Sequence, residues 1–123
     1  MDIDIQIYIN MQNIVELEQS LSERIDESNP HIVMKKIEEL SAMMSNAVML
    51  ASETKRAFDI SRKVMFDDGI VKKSDTSAHI ESLLHEESYA KDYCAGIKQA
   101  IHIRITALQS ILSYLKSELD AQR

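Results

Sequence analysis

Isoleucine occupies every second position of the first ten residues, at Ile3, Ile5, Ile7 and Ile9. Strict alternation of β-branched residues is the pattern of a half-buried β-strand, whereas nearly everything after residue 10 carries helical periodicity. A lone strand leaves its backbone N–H and C=O groups without ladder partners, and such groups are costly to bury unpaired. The chain offers one short internal partner, Ile70 and Val71. The pattern therefore predicts a strand over residues 1–10 that pairs with a second copy about a two-fold axis, or that adds to the edge of another protein's sheet. Assembly is the first functional expectation.

The rest of the chain predicts a mainly α fold. Ile14, Leu17, Leu21 and Ile25 recur at three- and four-residue spacing, which gives a short acidic helix over 11–27. Asn29 then suits an N-cap and Pro30 the first position of a new helix. From there Val33, Ile37, Leu40, Met44, Ala47, Ala51, Thr54, Phe58, Ser61 and Met65 form an unbroken heptad seam, so a long helix is expected over 30–66, closed by Gly69. A second long helix is expected over 77–119, on a seam through Ile80, Leu83, Glu87, Ala90, Cys94, Ile97, Ile101, Ile105, Leu108, Leu112, Leu115 and Leu119. A short connection makes the two long helices antiparallel neighbours. Numbering across that hairpin sets Ala47 against Gly96, which predicts their closest approach there. Met43, Val48, Met49 and Leu50 on the first helix and Ile103, Ala107 and Ile111 on the second widen the apolar faces beyond the seams. The expected architecture is a single domain, 1–123: strand, short helix and long antiparallel hairpin, assembled as an oligomeric helical bundle with a homodimer as its simplest form.

Charge is distributed unevenly. Residues 1–29 carry seven acids and one base, while residues 30–123 carry 13 of each, so the whole net charge of −6 falls on the N-terminal segment. Glu16, Glu18, Glu23, Asp26 and Glu27 thus form a candidate docking surface for a basic partner protein, with a solvated helix face as the plainer account. The neutral body lacks the basic footprint of a nucleic-acid binder. A single cysteine excludes a disulfide framework and suits the cytoplasm. No apolar run reaches the length of a membrane span, and the acidic start is unlike a secretory signal.

Chemistry-bearing constellations are sparse, and no enzyme activity and no cofactor are expected. Glu81 and His85 share a helical face, but two ligands fall short of the three or four that zinc requires. Cys94 lies on the core seam with no base beside it, an inert thiol. Two isolated glycines build no phosphate loop. Lys55, Arg56, Arg62 and Lys63 form a basic stripe that Glu81, Glu86 and Glu87 are expected to neutralise across the hairpin. Arg104 borders an apolar stretch and needs a carboxylate, a carbonyl or a bound anion. A small nucleotide-like anion held by Arg56, Lys98, His102 and Arg104 is the alternative to a protein partner.

The stretch from Cys94 to Leu119, and within it Arg104-Ile-Thr followed by Leu108-Gln-Ser-Ile-Leu-Ser-Tyr-Leu-Lys, resembles the closing helix of small all-helical proteins of bacteriophages and prophages. The resemblance covers about a quarter of the chain. It implies a phage setting and an accessory role, such as inhibition of host defence or adaptation in replication or recombination, and it transfers no functional residue.

Overall fold

A buried residue recurs at every seventh position of the second helix: Val33, Leu40, Ala47 and Thr54. The computed structural model describes the backbone of residues 3–122 and the side chains of residues 13–122. Its elements are α1 (Ile3–Ser22), α2 (Pro30–Asp67), α3 (Ser77–Leu83) and α4 (His85–Ala121). Cys94, Ile101 and Leu108 repeat the same heptad on α4, and the two sets meet in one core. The helices run antiparallel. Glu27, just before α2, reaches Arg104, whereas Phe58 far along α2 lies under the ammonium of Lys91.

Local chemistry sets the helix ends. Asn29 accepts hydrogen bonds from the N–H groups of His31 and Ile32 at 3.0 and 3.4 Å, with Pro30 opening the first turn. At the other end Gly69 adopts φ 73°, a left-handed conformation that only glycine takes without strain. The N–H of Ile70 then returns to the carbonyl of Met65 and that of Gly69 to Phe66, the Schellman closure.

Two expectations about backbone are overturned. No strand occurs among the described residues, and Ile3–Ser22 is one helix of 20 residues. A helix closes its backbone hydrogen bonds within itself, so it removes the need for a ladder partner that a strand would carry. Ile70 and Val71 belong to the closure of α2, with Val71 buried. Any role of the Ile3, Ile5, Ile7 and Ile9 side chains in assembly lies outside the described residues. The acidic helix also stops at Ser22, short of residue 27.

The expected 77–119 helix is broken at Leu84, where φ is −110° and ψ 40°. The break turns both Ile80 and Leu84 inward, onto Phe58 and Val71, in a small second core that closes the hairpin tip. Leu83, expected on the seam, is exposed instead. Gly96 is corrected as well. Ala47 is buried, but Gly96 faces outward, and a Cβ built there meets nothing within 4 Å. Small side chains on the core side, Ala47, Ala90 and Cys94, are the ones between the long helices.

Burial holds the Cys94 thiol above its usual range, with the Thr54 hydroxyl pulling weakly the other way. The folded protein should therefore resist alkylation of Cys94 at mildly alkaline pH and react at the ordinary thiol rate once unfolded, as followed by mass spectrometry. Ile101→Ala should cost roughly 2–5 kcal/mol in denaturant unfolding, whereas truncating exposed Ile103 to alanine should change stability by less than about 0.5 kcal/mol.

Candidate interaction surface

Helix α1 is clamped onto the α2–α4 pair by charge as well as by Ile14 and Leu17. Lys36 is 97% removed from solvent, yet its ammonium is met by three oxygen partners. Its Nζ stands 3.2 Å from Glu23 Oε2, 3.0 Å from Glu39 Oε2 and 3.2 Å from Ser20 Oγ. The Ser20 hydroxyl donates in turn to Glu39 Oε1 at 3.1 Å. On the flank toward α4, Arg104 meets Glu27 at 3.0 Å. Lys36 was not singled out from the sequence. The signal was its spacing, three residues after Val33 and four before Leu40, inside an apolar face.

These contacts redraw the proposed acidic docking surface. Glu23 is committed to Lys36 and Glu27 to Arg104. Asp26 accepts hydrogen bonds from the hydroxyl and the N–H of Ser28, which hold its carboxyl below the usual range. Glu16 is exposed and Glu18 half-buried on the outer side of α1, without an ion pair among the described residues.

The four residues of the candidate anion site do not converge. Arg104 is occupied by Glu27, and Lys98 and His102 are exposed on another face of α4. Arg56 lies two residues from Phe58, level with Lys91, and Lys91 is about 20 Å along α4 from Arg104 at 1.5 Å per residue. The basic stripe also differs from expectation. None of Lys55, Arg56, Arg62 and Lys63 forms an ion pair with Glu81, Glu86 or Glu87. Arg62 instead lies over the Phe66 ring at 5.7 Å. Among the described residues no group of three or more His, Cys, Asp or Glu gathers as metal ligands. No described helix is long and apolar enough to cross a membrane.

What the molecule does display is an uncharged face on α4. Tyr89, Tyr93, Gly96, Ala100, Ile103, Ala107, Ser110 and Tyr114 follow one another at alternating steps of four and three, a second heptad stripe beside the core seam. Tyr89, Ile103 and Tyr114 are 55%, 58% and 63% exposed. From Tyr93 to Ser117 the helix contains no acidic residue; the bases Lys98 and Lys116 project on the opposite side, and Arg104 flanks the stripe. The tyrosines are held in place. Tyr89 and Tyr93 stack at 5.6 Å, and the Tyr114 hydroxyl donates to Glu118 at 2.7 Å, a contact that raises its pKa. The sequence showed part of this stripe in Ile103 and Ala107, but Gly96 was assigned to the opposite side.

No family model, curated protein or solved structure matches the chain.

The Lys36 cluster makes an asymmetric prediction. Lys36→Met leaves only two carboxylates that already reach solvent, so unfolding free energy should change by less than about 1 kcal/mol. The double variant Glu23→Gln, Glu39→Gln strands a buried ammonium and should lose roughly 3–5 kcal/mol in the same denaturation experiment.

Proposed function

We propose that this chain is a non-enzymatic interaction protein that acts by covering a partner's surface. The observation that carries this reading is the outer face of α4, a stripe of tyrosines, isoleucine and small residues from which Tyr89, Ile103 and Tyr114 stand exposed along one helix. Aromatic side chains flanked by small residues, with no charge to desolvate, are what the centre of a protein interface is made of. Isolated exposed apolar residues need no explanation, but a periodic run of them along one helix does. The outward carboxylates of Glu16 and Glu18 add a second contact element suited to a basic partner.

Catalysis has little to build on. His85 and Cys94 lie more than two helical turns apart, with Cys94 in the core and the imidazole outside. In the phage setting that the α4 resemblance implies, such a module serves as an inhibitor of a host protein or as an adaptor. The dispersed positions of Arg56, Lys98, His102 and Arg104 favour this reading over sequestration of a small anion.

Site-specific photo-crosslinking tests it directly. A benzophenone amino acid replacing Ile103 should give a covalent protein adduct in expressing cells, whereas the same group replacing Lys98 should give none. Absence of any adduct at residue 103, with the fold intact by circular dichroism, would sink the proposal.

A further inference from the structure

We propose that the uncharged face of α4 joins two copies of this chain, their α4 helices packed antiparallel about a two-fold axis near Ile103. The inference rests on the reading of this face as an interaction surface and commits it to one occupant, a second copy, which leaves Glu16 and Glu18 as the contact element for a different partner. The face is close to a palindrome. Moving outward from Ile103 in either direction, alanine comes first (Ala100 and Ala107), then a still smaller or comparably small residue (Gly96 and Ser110), then tyrosine (Tyr93 and Tyr114). A two-fold axis lays one half of such a stripe on the other, as isologous interfaces require. A foreign helix has no reason to match that symmetry.

Shape favours the same arrangement. In this register Ala100 meets Ala107 of the second copy and Gly96 meets Ser110, so the backbones approach closely over the centre. The outward Gly96 then has a purpose, because a helix-interior glycine costs about 1 kcal/mol against alanine and nothing within its own chain occupies the space above it. Tyrosines close both ends.

Charge and area fit as well. The nearest ionised group to the axis, Arg104, carries its own counter-charge in Glu27, 3.0 Å away. Glu27 thus offsets the like-charge repulsion between the two Arg104 side chains that flank the axis. The stripe from Tyr93 to Tyr114 is about 33 Å long. With Tyr89, Ile103 and Tyr114 each more than half exposed, joining two such faces removes roughly 1,000 Å² from water, the lower bound for a specific interface.

Sedimentation of the full chain at concentrations well above micromolar should give twice 14.0 kDa. Gly96→Leu adds a side chain where the single chain has open space, so its helicity and monomer melting temperature should hold or rise. Its dimer should weaken by at least about tenfold through overpacking. Disulfide trapping reads the register: Ala100→Cys and Ala107→Cys should each stay uncrosslinked alone and form covalent dimers when mixed. Buried Cys94 does not compete.

A monomeric wild type, a dimer indifferent to Gly96→Leu, or crosslinking of each cysteine variant with itself would overturn the dimer. A monomer that still crosslinks another protein at residue 103 would overturn the dimer and leave the interaction reading intact. A monomer with no adduct at all would remove both.

Discussion

Everything in this fold depends on one heptad seam. Val33, Leu40, Ala47 and Thr54 from α2 and Cys94, Ile101 and Leu108 from α4 are sealed from solvent. Seven-residue spacing keeps these positions facing the partner helix over their full shared length. The seam is not uniform. Branched aliphatics fill the half near α1, whereas Ala47, Cys94 and Thr54 narrow it in the middle. Phe58 restores bulk at the tip, where Val71, Ile80 and Leu84 complete a second cluster. A hairpin closed at its tip and seamed along its length leaves α1 as the element whose position still has to be specified.

Two packed helices offer a groove on each side, and apolar burial alone does not choose between them, since it has no direction. Polar contacts make the choice. Lys36 on α2 and Arg104 on α4 each find an acid from the segment that ends α1 and leads into α2, Glu23 and Glu27. With α1 in the other groove Lys36 would keep only Glu39 of its own helix and Arg104 would lose Glu27, so the ion pairs favour the observed groove. The excess negative charge of the N-terminal segment thus has a structural use that its composition did not disclose. Part of it is the counter-charge for two cations on the hairpin.

Legibility in the sequence follows from how far each signal is local. The Asn29–Pro30 start, the Gly69 stop and the α2 seam were readable because caps and heptads act within one or two turns. The strand over 1–10 was misread because alternating isoleucines satisfy a period of two without specifying what supplies the missing hydrogen bonds, and a helix dispenses with the question. Leu84 was invisible for the opposite reason. No glycine or proline marks the break, and its cause is tertiary: Ile80 and Leu84 must both reach Phe58 and Val71. Gly96 went to the wrong side because a hairpin register read from loop length is uncertain by a residue or two. On a helix each such step is a rotation of 100°.

That rotation also explains why the candidate surface was only half seen. A helix with one apolar stripe has its partner settled by the fold. Helix α4 has two, offset around its axis, and the core consumes only the one through Cys94, Ile101 and Leu108. Of the stripe's large side chains only Tyr93 packs against the core, whereas Tyr89, Ile103 and Tyr114 remain mostly in water and contribute little to the stability of the single chain. Folding does not require such residues to be tyrosine, isoleucine or glycine, and charged residues there would serve solubility better. Their presence in a periodic arrangement, on a stretch of helix from which acidic residues are missing, is best explained by a contact made after folding.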